Sequence, residues 1–281
     1  MTDKKVLTIQ DISCYGQCSL TVAQPIISAC GVETVILPAA VLSTHTGGFT
    51  GYTFRDLTDD IPGIMDHWVK EGIRMQCLYT GYLGSVTQIE YVSQLRERVI
   101  TPDGLFIVDP AMADNGKLYY GFDDVFVKNM AALCGKADII LPNITEACFM
   151  TGYEMRLSGH DEAYILGLLH ALAALGCKKV ILKGVSFEAG RIGVAVYDCA
   201  ADSVRYYFTA REAQSYHGTG DCYAAAFTGA VLQGCSIYDA AALAADFVVA
   251  AIRRTIGDES HPYGVKFEKA LPMLVKKLNH D

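Results

Sequence analysis

Short apolar runs alternate along the chain with longer stretches of helical periodicity. The short runs, rich in Val, Ile, Leu and Tyr, fall at residues 5–9, 34–37, 75–79, 105–108, 138–141 and 179–182. Each reads as a buried strand, and a late pair at 192–197 and 204–208 reads as a hairpin. Apolar positions spaced for helices occupy 19–30, 60–71, 87–99, 124–134, 144–151, 161–175, 222–233 and 237–255. Such alternation predicts an α/β fold: a central, mostly parallel sheet with helices on both faces. No low-complexity linker divides the chain and no repeat is visible, so residues 1–281 read as one domain.

Polar residues gather just past successive strands. Ile9 leads to Gln10, Asp11 and Ser13, Tyr79 to Thr80-Gly81-Tyr82, Val108 to Asp109, Leu141 to Pro142-Asn143, and Leu182 to Lys183. In an open α/β sheet the carboxyl ends of the strands form the ligand crevice. Strands also need polar residues simply to end, so the weight lies in five strands agreeing.

Composition narrows the class. The chain is 51% hydrophobic, which permits a large core, and its net charge of -8 argues against a general nucleic-acid binder. The ten cysteines are scattered without a C-x-x-C pair or clustered histidines, which argues against zinc and for reduced thiols. The opening MTDKKVLTIQD has no signal-peptide core, and no apolar run is long enough to span a bilayer. A cytoplasmic protein without nucleic-acid or membrane partners is the expectation.

Four motifs carry candidate chemistry. In 217-HGTGDCYAAAFTGAVLQG-234, Gly218-Thr219-Gly220-Asp221 opens a helix. Helix starts attract anions through free amides, yet this loop lacks lysine and presents a carboxylate. Asp221 is thus either a helix-start residue or a base beside a phosphate. Ala224, Ala225 and Ala226 would keep the first turn thin for a ligand. The loop is no Walker motif, and without a third glycine it is no dinucleotide fingerprint, which removes a dinucleotide-binding reductase. In Asn143-Ile144-Thr145-Glu146, Asn143 and Glu146 can face one site or form a helix cap. With Asp109 at a neighbouring strand end, a hydrated magnesium becomes reasonable. The segment 43–58, STHTGGFTGYTFRDLT, reads as a flexible ligand-covering loop or a plain surface loop, with His45 either binding or packing. In 79-YTGYLGS-85, Tyr82 is either a stacking surface for a flat ligand or a core ring.

From Ile9 to about Gly234 these motifs, in this order, resemble the pyridoxal kinase branch of the ribokinase-like superfamily. The GTGD loop belongs to the whole superfamily. Ser43, His45, Thr46 and Gly47, then GYLGS, DPAM from Asp109, and PNITEA from Pro142 resemble the vitamin B6 kinases and their pyrimidine-kinase relatives. The resemblance implies a three-layer α/β/α fold and ATP-dependent phosphorylation of the 5′-hydroxymethyl group of a B6 vitamer. It implies Asp221 as catalytic base, with Gly218, Thr219 and Gly220 as the anion hole for the transferred phosphoryl group. Asp109 and Glu146 would serve the metal and triphosphate, with Asn143 beside them. Lys183 and Thr209 would lie along the nucleotide, and Asp114 and Tyr119 in a loop covering it. Thr46 and Tyr82 would hold the pyridine ring. Mg2+, a monovalent cation such as K+, and a homodimer are implied as well.

Two positions depart from the pattern. Alignment on Tyr15-Gly16 puts Asp11 where the B6 kinases usually carry serine, with Ser13 two residues on, and Ala113 stands at a usual glycine. A carboxylate at Asp11 favours a cationic substituent, which among the vitamers points to pyridoxamine. The alternatives are a hydroxymethylpyrimidine kinase of thiamine biosynthesis, against which DISCYGQCS after the first strand argues, and a B6-binding sensor without catalysis, against which the intact GTGD argues.

Overall fold

The computed structural model describes residues 4–278. The strands are β1 (Lys5–Ser13), β2 (Glu33–Leu42), β3 (Phe54–Asp56), β4 (Met75–Thr80), β5 (Ile100–Val108), β6 (Ala113–Asp114), β7 (Lys117–Leu118), β8 (Ile139–Ile140), β9 (Lys179–Val185), β10 (Arg191–Asp198) and β11 (Ser203–Ala210). The helices are α1 (Leu20–Ala29), α2 (Ile61–Lys70), α3 (Val86–Arg98), α4 (Asp124–Cys134), α5 (Ile144–Thr151), α6 (Glu162–Ala173), α7 (Thr219–Leu232), α8 (Ile237–Thr255) and α9 (Leu271–Leu278).

Nine strands form one sheet in the order β11-β10-β9-β8-β5-β4-β1-β2-β3. The six from β9 to β2 run parallel, while β3 and the β10–β11 hairpin pair antiparallel at the two edges. Side chains alternate faces with period two. Leu7, Ile9, Leu78, Phe106, Val108 and Ile140 pack under α2 to α6. Val6, Cys77, Tyr79, Ile107 and Ile139 pack under α1, α7, α8 and α9. Burial on both faces explains why the central strands read as continuous apolar runs rather than alternating ones.

The elements differ from the sequence reading where pairing, not hydropathy, sets their limits. β1 runs on past Ile9, so Asp11 and Ser13 are strand residues. Its ladder with β2 resumes at Ile12 and Ser13 after a register shift opposite Pro38, which has no amide proton to donate. β8 shrinks to two residues before Pro142. Within 43–58, read as loop throughout, residues 54–56 form edge strand β3 on β2, with all three side chains exposed. The β6–β7 hairpin was not anticipated, although its turn is Asn115-Gly116, both at positive φ (50° and 77°), as a tight two-residue hairpin requires. α7 also begins three residues earlier than its apolar pattern. Ala224, Ala225 and Ala226 are wholly buried in the core beside α1 rather than lining a ligand. Their smallness lets the two helices approach.

Candidate active site

The chain places β2 on one side of β1 and β4, β5, β8 and β9 on the other. The order therefore reverses between β1 and β4, which makes their carboxyl ends the expected ligand crevice. Single backbone bonds extend the ladder past the strands. Asp109 donates to Thr80 at 2.9 Å, Leu141 to Val108 at 2.9 Å and Lys183 to Pro142 at 2.8 Å. Residues far apart in sequence are thus fixed along one rim.

Lys183 Nζ lies 3.0 and 2.9 Å from the two carboxylate oxygens of Asp109, in a pair almost closed to solvent. Burial raises the Asp109 carboxyl, and Lys183 opposes it. Burial also acts to lower the Lys183 ammonium, but Asp109 and then Glu146 leave it raised. Both oxygens on one ammonium fit an ionised pair, and we take it as such.

Glu146 fills the helix-cap role as well as facing this pair. Asn143 Oδ1 accepts from the Glu146 amide at 2.8 Å, and Glu146 Oε2 accepts from the Asn143 amide at 2.8 Å, a complete capping box. Glu146 Oε1 accepts from the Met112 amide at 3.1 Å, so α5 also holds the β6–β7 hairpin. Asn143 Nδ2 donates to Ala113 O and the Gly116 amide to Thr145 Oγ1, which seats the hairpin over the same helix start. Burial first, opposed by Lys183 and reinforced by Asp109, pushes Glu146 up to about 8. Tyr119 follows the hairpin. Its phenol is raised by burial and then by the charges of Glu146, Asp221, Asp114 and Asp109, while the residue as a whole stays 42% exposed.

Asp221 sits in the first turn of α7, whose amides have no partner within the helix. The helix is entered through Gly218 at φ 76°, where a Cβ would come within 1.7 Å of the Gln17 carbonyl. Only glycine allows the turn to pass the β1–α1 loop so closely. The Ser19 amide, at the start of α1, donates to Asp221 Oδ2 at 2.9 Å. Burial pushes the Asp221 carboxyl up to about 7; the Ser19 amide and Lys183 pull it down, and Asp109 and Asp11 raise it. The sequence marks Ser19 only as the start of a helix; its pairing with Asp221 joins two distant loops and carries no local signal.

On the β1 side, Asp11 is buried and Asp11 Oδ2 accepts from Ser13 Oγ at 2.9 Å. Burial raises its carboxyl against the Ser19 and Ser13 hydroxyls, and among the described residues no lysine or arginine pairs with it. The Tyr82 ring lies 5.6 Å from that of Phe122, at 31°. Its phenol is pushed up to about 12, by burial and then by Asp11.

The structure thus gathers Asp109, Asn143, Glu146, Lys183, Tyr119 and Asp221 around one nest, with Asp11, Ser13 and Tyr82 beside it. Thr46 is exposed in the segment 43–53, Asp114 caps its own hairpin through Asn115, and Thr209 Oγ1 donates to Ile192 O out on β11. None of these three is hydrogen-bonded to the nest. Among the described residues no group of three or more His, Cys, Asp or Glu is arranged to hold a metal by itself. Both oxygens of Asp109 already pair with Lys183 and both oxygens of Glu146 with backbone amides, so a magnesium here would be reached through its waters rather than held directly.

A profile of the family described as phosphomethylpyrimidine kinase matches residues 27–264. A Bacteroides thetaiotaomicron protein, provisionally named a phosphomethylpyrimidine kinase, is 35% identical, with a TM-score of 0.92 over 98% of this chain and 94% of its own. A second crystal form of it, obtained with pyridoxal, is 36% identical, with a TM-score of 0.91 over 97% of this chain and 96% of its own. The pyridoxal kinase of Lactobacillus plantarum is 31% identical, with a TM-score of 0.89 over 98% of this chain and 97% of its own. A pyridoxal kinase of Rubrobacter xylanophilus is 25% identical over 261 residues, 89% of this chain and 87% of its own.

Proposed function

The chain belongs to the phosphomethylpyrimidine kinase family, and from that membership we propose that it is a pyridoxal kinase, transferring the γ-phosphoryl group of ATP to the 5′-hydroxymethyl group of a B6 vitamer. One observation carries the reading: a carboxylate, Asp221, stands among the free amides of a helix start, beside the strand-order reversal. Asp221 takes the proton of the 5′-hydroxyl, the hydroxyl oxygen bonds to the γ-phosphorus, and ADP leaves with the electrons of the broken bond. The amides of Gly218, Thr219 and Gly220 face the charge on the transferred group, and Lys183 lies along the phosphates. Phosphoryl transfer of this kind needs positioning and charge neutralisation rather than a covalent nucleophile. Magnesium, when bound with ATP, supplies charge neutralisation, and Asp109 and Glu146 are the residues that would hold it through water. K+ as a further cofactor, a homodimer and a cytoplasmic location belong to the same proposal, and light scattering tests the dimer. Among the described residues no helix is long and apolar enough to cross a membrane.

The vitamer choice turns on Asp11, an acid without a basic partner at the substrate end. An ammonium at the 4′ position, as in pyridoxamine, would supply one through a charge-assisted bond worth roughly 1.5–3 kcal/mol, about tenfold or more in selectivity. The family's own description keeps a second reading alive, phosphorylation of hydroxymethylpyrimidine. One panel tests all of this: ATP turnover with pyridoxal, pyridoxine, pyridoxamine and hydroxymethylpyrimidine, in wild type and Asp11→Ser. Turnover confined to the pyrimidine would replace the proposal. A pyridoxamine-to-pyridoxal ratio of kcat/KM unmoved by Asp11→Ser would remove Asp11 from amine recognition.

A further inference from the structure

His45 is 4% exposed, yet it lies in the glycine-rich covering segment 43–53. Both ring nitrogens are engaged. Nδ1 accepts from the Gly47 amide at 3.1 Å, which leaves the proton on Nε2, and Nε2 donates to the Tyr263 carbonyl at 3.1 Å. This is a neutral imidazole of fixed tautomer, and burial lowers its pKa in keeping. The Tyr263 carbonyl also accepts from the Gln17 amide at 3.0 Å, and the His45 amide donates to Tyr15 O at 3.1 Å. Gln17 O is the atom against which Gly218 closes. On its other side His45 packs edge-on to Phe49 at 5.1 Å and faces His217 at 5.7 Å, the residue directly before the Gly218-Thr219-Gly220 turn. Gly47 fits because it lacks a side chain: a Cβ there would meet His217 Nδ1 at 2.6 Å.

Four segments therefore converge on one imidazole: the covering segment, the β1–α1 loop, the turn at 261–264, and the entry to α7. We propose that His45 is a positioning residue that latches the covering segment to the Gly218-Thr219-Gly220 turn, so that closing the substrate pocket and shaping the anion hole are one event. The latch concerns binding and turnover of the hydroxymethyl substrate rather than capture of ATP, whose neighbours Asp109, Asn143, Glu146 and Lys183 lie outside it. The kinetic part rests on the kinase reading above; the latch itself does not.

The test uses His45→Phe, which keeps a ring against Phe49 and removes both nitrogen bonds, and His45→Asn, whose amide oxygen can restore the bond from the Gly47 amide. Hydrogen exchange on the ligand-free protein comes first. His45→Phe should speed exchange both in 43–53 and at the amides of 218–220, and His45→Asn should recover part of the protection. In kinetics well below melting, His45→Phe should lower kcat/KM for the vitamer about tenfold or more, the scale of a lost buried hydrogen bond. ATP affinity by direct binding should change less than about twofold, and His45→Asn should sit between. Exchange that quickens in 43–53 while 218–220 stays at the wild-type rate would overturn the latch, whatever the substrate proves to be. So would a loss of vitamer and ATP affinity by equal factors, or a lower melting temperature with unchanged kinetics. A wild type inactive on every vitamer would instead defeat the kinase reading, with the exchange result still deciding the latch.

Discussion

Asp221 shows how one side chain acquires a chemical role from its surroundings. In the unfolded chain it is an ordinary acid; here burial, set against the Ser19 amide, brings it to about 7. A base must be ionised before it can accept a proton, and efficiency is best when its pKa lies near the working pH. The pH profile of vitamer kcat/KM should therefore fall on the acid side through about pH 7 and hold above it. Asp221→Asn keeps the size of the residue and an oxygen for the Ser19 amide, but has no proton-accepting carboxylate. Turnover should drop about 10²–10⁴-fold, with nucleotide affinity little changed. Near-normal turnover would make Asp221 a helix-start residue and nothing more. The two readings of this position are both visible in GTGD, and Asp109 and Asp11 are legible as residues of the same strand-end crevice; the Ser19 amide is not, because it reaches Asp221 from a loop 202 residues away.

At the scale of elements, α5 has two tasks. Its capping box was legible in Asn143-Ile144-Thr145-Glu146, since three-residue spacing at a helix start is local geometry. Its hold on the β6–β7 hairpin was not, because Met112, Ala113 and Gly116 meet it through backbone atoms, which carry no sequence signature. Glu146→Gln keeps one acceptor oxygen and leaves one of two amides, that of Asn143 or Met112, without its partner. Melting near pH 4, where Glu146 holds its proton in both states, should reveal a loss on the order of 1 kcal/mol. If Glu146 also serves magnesium through water, the concentration needed for half activity should rise in the same variant. A lower melting temperature with an unchanged magnesium requirement would leave the residue as a cap alone.

For the whole molecule, the acidic nest opposes stability when no ligand is bound. Asp221 and Glu146 titrate near 3.8 and 4.5 in ordinary surroundings but at about 7 and 8 here. The folded state thus holds protons that the unfolded chain has already released. The stability this contributes is complete below about pH 4, declines as pH rises from there, and is gone once pH has passed through 7 to 8. Wild type and Asp221→Asn should melt most nearly together below about pH 4, and the variant's advantage should grow with pH and be greatest at pH 8. A gain of 1 kcal/mol would appear as about 2–4 °C in a chain of this size. ATP with magnesium should narrow the gap by screening the acids. Equal melting temperatures at pH 8 would mean that Asp221 carries no buried charge.

The sequence determined the α/β class, the order of the strands and helices from β1 to α8 apart from β3, β6 and β7, and the polar residues at the strand ends, since hydrophobic period and helix caps are properties of neighbouring residues; α9 it left unread. The GTGD, PNITEA and GYLGS motifs also pointed to the kinase family that the profile and the solved relatives bear out. Tertiary structure alone decided where β1 ends, because strand limits follow the partner's backbone: Ser13 still pairs with Leu42 long after the apolar run stops. It decided that 54–56 is an edge strand, since an exposed edge needs no apolar alternation. It decided, too, that Ala224, Ala225 and Ala226 serve helix packing, because only the fold brings α1 against them. The charge state of the nest belongs to the same class. Lys183 and Asp109 are 74 residues apart in sequence and 2.9 Å apart in space, and electrostatic energy depends on the second separation.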